Sequence, residues 1–246
     1  MGEAIWATWF DLPEAEAEDH LAWLHGMHLP AILAQPGFGW AATYRNTGGG
    51  AHMDKIADGL ARPGEDEVPG GRDYVVLVGA PDVELFFNPR VDEVEVSLGG
   101  NRLNQRRGAR SAVFIEQSYV AGPEMATRPR GGPTGPAIQF GSFRTKTTED
   151  EWDLSAWYGQ YRLPAMSGMK GCIATRKLVA VAGWVKHAVL YEFTSLEQRQ
   201  EHFQGHESLA LDQRVWTHKI INYTIHSPGS PVVGSRLWPP VAADAG

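Results

Sequence analysis

The sequence predicts an α+β chain in which one β-α-β-β-α-β unit is written twice. Three observations carry this. Aromatic and β-branched runs alternate with stretches of helical spacing, in the same order in both halves. Blocks of similar residues recur along the chain in one order. A Gly/Pro-rich stretch, 122–136, separates the two copies.

The recurrence is visible at three blocks. Trp23-Leu24-His25-Gly26-Met27-His28-Leu29-Pro30-Ala31 aligns with Trp157-Tyr158-Gly159-Gln160-Tyr161-Arg162-Leu163-Pro164-Ala165 at an offset of 134, which also brings Gly37 onto Gly171. Val76-Leu77 aligns with Val189-Leu190 at an offset of 113. Val120-Ala121-Gly122-Pro123 aligns with Ile225-His226-Ser227-Pro228 at 105. The loss of 21 between the first two offsets matches a long Gly/Pro-rich loop, 46–72, present in the first copy only. The expected organisation is a first half over 1–125, a linker over 126–136 and a second half over 137–246.

Each element has a local reason. Residues 4–12 are aromatic and β-branched and stop at Pro13, which predicts a strand. A helix over 14–33 follows: Glu14, Glu16 and Glu18 suit the positive helix start, and Leu21, Leu24 and Met27 repeat at helical spacing. Pro30 predicts a kink or break inside it. Strands are expected at 40–45 and 74–79, then Asp82 as the N-cap before a short helix, then a fourth strand at 112–120. This order is the ferredoxin-like unit. The second copy predicts strand 137–145, helix 149–168, strands 172–181 and 184–193, helix 195–206 and strand 217–226. Pro228, Pro231, Pro239 and Pro240 predict that the tail wraps the surface rather than joining a sheet. The loop 46–72 reads as a lid over a pocket.

Composition narrows the function classes. The 246 residues carry 22 Lys+Arg against 29 Asp+Glu, a net charge of −7, and lack the clustered cations that nucleic-acid binding needs. No apolar run has the length of a membrane span. The start, Met1-Gly2-Glu3, has no basic segment, so a cytoplasmic protein is the expectation. The single cysteine, Cys172, excludes a disulfide framework and reads as packing. Nine Trp, nine Phe and seven Tyr suffice for a core and an aromatic-lined pocket. No G-x-S-x-G elbow, P-loop, H-E-x-x-H or Rossmann glycine pattern is present.

In Trp23, His28-Leu29-Pro30 and Pro36-Gly37-Phe38 the chain resembles EthD-like and other dimeric α/β-barrel proteins. The resemblance covers roughly 5–121 and 138–226. Members usually build a barrel from two identical chains, each giving a four-stranded sheet. The resemblance therefore implies a pseudo-dimeric α/β barrel made within one chain, with a homodimer left open. It implies a broad set of activities: cofactor-free monooxygenases, cyclases, isomerases, lyases and haem enzymes. Arg162 stands where the motif histidine is expected in the second copy.

The candidate residues follow. His28 and His25 are three apart on one helical face, and a histidine moves protons near neutral pH. Glu116 lies among Val113, Phe114 and Ile115; pointing inward it would be a base with a raised pKa, outward a solvated edge residue. Tyr119 completes the catalytic candidates. Tyr44, Trp40, Arg162, Tyr161, Tyr223 and His226 are the substrate-binding candidates. Arg162 either holds an anionic group or pairs with Asp153 or Glu151. His20, among acidic residues, is expected to face solvent. His202 and His206 sit four apart without a third ligand, so no metal is expected. The leading expectation is a cofactor-independent lyase, cyclase or isomerase acting by proton transfer on an aromatic or polyketide-like small molecule. The alternatives are a cofactor-free monooxygenase, a haem enzyme with His187 or His226 as axial ligand, or a non-catalytic ligand-binding protein.

Overall fold

The computed structural model describes residues 3–48, 59–64, 66–127, 131–208 and 216–241, without the side chains of Ser208 and Thr217. Much of the loop 46–72, including 49–58, lies outside the described residues. The strands are β1 (Ala4–Asp11), β2 (Trp40–Asn46), β3 (Tyr74–Ala80), β4 (Arg107–Ala121), β5 (Ala137–Thr145), β6 (Cys172–Ala182), β7 (His187–Phe193), β8 (Thr224–His226) and β9 (Val232–Trp238). They lie in the order β7-β6-β4-β1-β3-β2-β9-β5-β8, and pairing of β7 with β5 closes the ring. All these pairings are antiparallel.

The two halves share one topology. In the first, β1 lies between β3 and β4, with β2 beyond β3. In the second, β5 lies between β7 and the pair β8 and β9, with β6 beyond β7. The halves join at two seams, β4 with β6 and β2 with β9. Each seam pairs the fourth strand of one half with the second of the other. The fold is the expected α+β pseudo-dimeric barrel.

The last strand differs from expectation. Residues Trp216–Tyr223 form a helix, and the barrel strand comes from the tail. Trp216, Ile220 and Tyr223 recur at helical spacing, and this period outweighs the β preference of the two isoleucines. Pro231 and Pro239 flank β9 without entering it, so they bound the strand. The third repeat block also has a different offset. Ala4 pairs Ile115 on β4, and Ala137 pairs Ser235 on β9, so the true offset there is 235 − 115 = 120 rather than 105.

The helix-one motif does not break at Pro30. Helix Glu14–Trp23, a π turn Leu24–His28 and helix Leu29–Leu33 run on continuously, with the Leu29 N–H bonded to the Leu24 carbonyl. The second copy repeats this in Thr148–Trp157, Tyr158–Arg162 and Leu163–Ser167, with the Leu163 N–H on the Tyr158 carbonyl. Each proline sits just after the wide turn, where its missing N–H costs no ladder bond in the helix behind it.

Three apolar layers hold the molecule. An eight-stranded barrel is just wide enough to be filled by side chains. Here Trp9 stacks on Phe140 at 5.5 Å and meets Phe114 edge-on at 6.5 Å, joining the two halves inside the ring. The alternation of β1 sends Ile5, Ala7 and Trp9 inward, while Ala4, Trp6 and Phe10 pack under the first-half helices. The matching outer layer of the second half contains Phe143, Trp157, Tyr158, Tyr191 and Phe203. No helix among the described residues is long and apolar enough to cross a membrane.

Candidate functional site

The outer layer of the second half contains a cavity of about 100 Å³. Its floor is the outward face of β5 and β7: Gln139, Gly141, Phe143, Val189 and Tyr191. Its roof is the π turn with Trp157, Tyr158 and Arg162, and the helix bearing Ile220 and Ile221. Strand register explains why the cavity lies in this half. Trp6 opposite Val78 in the first half corresponds to Gln139 opposite Tyr191 in the second. By the same register, Thr8 corresponds to Gly141. Trp6 and Leu24 fill the first layer, whereas Gln139, Gly141 and the tilted aromatics of the second leave a gap.

Arg162 is the chemical centre of this cavity. It is 4% exposed, and its Nε and Nη1 atoms have no hydrogen-bond partner among the described residues. Neither expected carboxylate reaches it. Asp153 accepts from Trp216 Nε1 at 3.0 Å and from the Tyr223 hydroxyl at 2.9 Å, and Glu151 binds Lys186 and His187. Instead, the guanidinium lies 4.8 Å from the Trp157 ring, 5.4 Å from Phe203 and 5.9 Å from Tyr191. Arg199, which also lies nearby, is paired: it meets Glu207 at 3.1 Å and donates to Gln139 Oε1, which leaves that trio neutral. Arg162 therefore brings to the aromatic wall a positive charge that has no carboxylate partner among the described residues.

The phenols beside it are neutral donors. Burial pushes Tyr191 up to about 12 and Tyr158 well above the ordinary range for a phenol. Burial holds His226 down to about 3. Thr224 Oγ1 donates to the Ile220 carbonyl, so His226 Nε2–H donates to that hydroxyl at 3.1 Å, and Nδ1 faces Ser230 Oγ at 3.3 Å. The described part of the long loop reaches this same place. Leu60 packs on Ile221 and lines the cavity, and Arg62 donates to the Ser227 and Ser230 carbonyls.

The remaining candidates lie elsewhere. His28 is buried in the first outer layer, stacked on Trp23 at 4.7 Å with neither ring nitrogen bonded among the described residues, and burial lowers it to about 4. His25 stacks on Trp238 at 6.0 Å, away from the cavity lining. His20 is fully buried against Gln105, contrary to the expected exposure, because Phe10 and Trp23 close over it. Glu116 does point inward, but at one end of the barrel, 3.4 Å from Arg176, a guanidinium that also binds Glu3 and Glu192. Tyr119 lies under the same guanidinium at 5.5 Å. Trp40 fills the barrel interior over Gly79, and Tyr44 donates to the Gly135 carbonyl at 2.7 Å. Tyr161 stacks on His206 at 5.5 Å beside the cavity.

Of the expected binding residues, Arg162 and His226 thus meet in one cavity. Tyr158, Tyr191, Gln139, Gly141 and Glu207 were not among the candidates. Their signal was present in the repeat: Tyr158 and Arg162 replace Leu24 and His28, a change from apolar filling to polar lining at matched positions.

No protein-family model matches the chain, and no curated protein is similar to it in sequence. Solved structures are similar in fold. A candidate monooxygenase of Fusobacterium nucleatum superposes with TM-score 0.53 at 7% identity, covering 96% of this chain and 93% of that one. An anthrone oxidase-like protein gives 0.52 at 11%, covering 96% and 92%. A candidate chlorite dismutase gives 0.51 at 12%, covering 96% and 95%. With the closed ring described above, these likenesses show a dimeric α/β-barrel fold, built here from a single chain.

Proposed function

We propose that the protein is a monooxygenase-type enzyme whose second-half cavity holds a small planar aromatic anion, a phenolate or enolate. The observation that carries this is Arg162: a buried guanidinium whose Nε and Nη1 have no partner among the described residues, facing a cavity walled by Trp157, Tyr158 and Tyr191. A buried cation without a counter-ion is costly, and a bound anion removes that cost. Two structural neighbours, a candidate monooxygenase and an anthrone oxidase-like protein, support an oxidation of this kind. The EthD-like affinity suggested by the helix-one motif, and the division of the chain at 126–136, belong to the same proposal.

The proton-transfer reading finds less support at this cavity. His28 does not line it, His226 at about 3 is a weak base near neutrality, and Glu207 is engaged by Arg199 and Gln139. Arg162 instead favours a substrate that is already ionised. An electron-rich anion can pass electrons to O₂ directly. When a ring-activated methylene becomes a carbonyl, one oxygen atom enters the product and the other leaves as water, which balances the four electrons O₂ accepts.

Haem does not fit these residues. His187 is bonded on both ring nitrogens, to Lys177 and Glu151, and both nitrogens of His226 face Thr224 and Ser230. The cavity of about 100 Å³ is far too small to enclose a porphyrin.

The test is O₂ consumption with a panel of single-ring phenols and activated ketones, for the wild type and Arg162→Gln. Substrate-dependent O₂ uptake that Arg162→Gln abolishes supports the reading. Absence of both uptake and binding across the panel, or undiminished activity in Arg162→Gln, overturns it.

A further inference from the structure

Behind the cavity wall lies a second buried cation. Lys177 on β6 is 2% exposed. Its Nζ donates to the Leu178 carbonyl at 3.2 Å and to His187 Nδ1 at 2.8 Å. His187 Nε2 donates to Glu151 Oε2 at 2.7 Å, and Lys186 meets that carboxylate from the surface at 2.8 Å. Two contacts place the amine against the cavity. It lies 5.3 Å from the centre of the Tyr158 ring, and its cross-strand partner on β7 is Val189. Tyr158 and Val189 both line the cavity.

We propose that Lys177 is a specificity-determining second cation for the cavity's anionic ligand, held behind Tyr158 and Val189 by the His187–Glu151 chain. The proposal rests on the anion-binding reading of Arg162. Lys177 touches the ligand's wall rather than the ligand, so it acts through position and charge. Its direct neighbour His187 is neutral, so its nearest negative charge is Glu151, one imidazole away.

The charge balance makes Lys177 responsive. Burial is the main influence and brings the amine down to about 7; Glu151 opposes this and Lys186 adds to it. The groups that face it are His187 from β7, Glu151 from the helix Thr148–Trp157, Lys186 from the turn before β7 and Tyr158 from the π turn. On the β4 side its partner is Ser118, which carries no charge. Glu151 is held to about 2, and burial holds His187 and His206 to about 4 and His226 to about 3. These groups do not change charge between about pH 6 and about pH 9. An anion in the cavity favours protonated Lys177, so binding takes up a proton from solvent and weakens as pH rises through this range.

The experiment is calorimetry with benzoate, which stays ionised throughout this range, at about pH 6 and about pH 9, in two buffers of different ionisation heat. We expect roughly ten-fold tighter binding at the lower pH and net proton uptake near neutrality, as one extra nearby charge implies. Lys177→Met should bind with a flat pH profile at the weaker, high-pH affinity. Glu151→Gln should move the fall in affinity to lower pH. Wild-type proton uptake needs no variant, so a poorly folding Lys177→Met leaves the proposal decidable. Benzoate binding that Arg162→Gln abolishes, but that shows no pH dependence and no proton uptake, overturns the role of Lys177 and leaves the anion site standing. No benzoate binding at either pH overturns both.

Discussion

Replacing Arg162 by Met should make the protein more stable while removing its affinity for aromatic anions. The guanidinium is 4% exposed, and two of its nitrogens have no hydrogen-bond partner among the described residues. Taking such a charge out of water costs several kcal/mol, and each unmade bond about 1–3 kcal/mol. The Trp157, Tyr191 and Phe203 rings return about 0.5–2 kcal/mol apiece as cation–π contacts. Methionine fills a similar length and keeps a sulfur–aromatic contact worth about 0.3–1.5 kcal/mol. The net expectation is a gain of about 1–3 kcal/mol, or about 2–12 °C in Tm for a chain of this size. The assay is thermal and denaturant unfolding without ligand, paired with benzoate calorimetry. A variant that is less stable by about 1 kcal/mol or more would show that Arg162 serves the fold, and the site reading would fall.

Three other outcomes follow from the same geometry. Gly141→Thr restores the first-half residue, and its Cβ would sit 3.4 Å from Val189 Cγ1, so the protein should fold, with Tm within a few degrees of wild type; ligand binding should be lost, as calorimetry would show, because the new side chain enters a cavity of about 100 Å³. Tyr44→Phe strands the buried Thr134 hydroxyl and Gly135 carbonyl, costing about 1–3 kcal/mol in denaturant unfolding with unchanged ligand affinity; reduced affinity at matched stability would put Tyr44 in the site. Finally, His28 has a folded pKa of about 4, below its unfolded value, so its contribution is complete above about pH 6.5 and is lost as pH falls toward 4. His28→Phe keeps the stack on Trp23 and should flatten acid destabilisation by up to about 1.4 kcal/mol per pH unit; an unchanged slope would mean His28 is protonated in the folded state.

The fold was legible because its signals are local and repeated. The strand over 137–145 and the twin helix-one motifs follow from period and punctuation alone. The last strand was not legible. In 216–226 the β-branched residues point to a strand, while burial of Ile220 under a helix depends on partners distant in sequence. The π turns were equally hidden, since Pro30 signals a helix problem without saying how the backbone solves it. For the site, sequence supplied Arg162 and His226 but weighted His28, because a histidine suggests chemistry and an arginine suggests a salt bridge. Which of the two faces a cavity depends on Gly141 and Gln139, residues with no catalytic look.

The two halves use their outer layers differently. When two identical chains form such a barrel, each outer layer has to serve packing and ligand alike. Here the first layer is filled: Trp6, Thr8, Leu24 and His28 occupy positions matched by Gln139, Gly141, Tyr158 and Arg162. The first set carries no permanent charge, and its one titratable member is driven neutral by burial. The second set exposes a charge, an amide and a phenol to a gap. The long loop belongs to the first half in sequence but reaches the second half's cavity through Leu60 and Arg62. The filled half therefore contributes stability and two residues beside the cavity, and the open half can carry a buried cation with no partner among the described residues, which neither half could tolerate twice. On this argument, transplanting the open set into the first half should cost stability at every step, with no gain in binding until the Trp6 position is emptied.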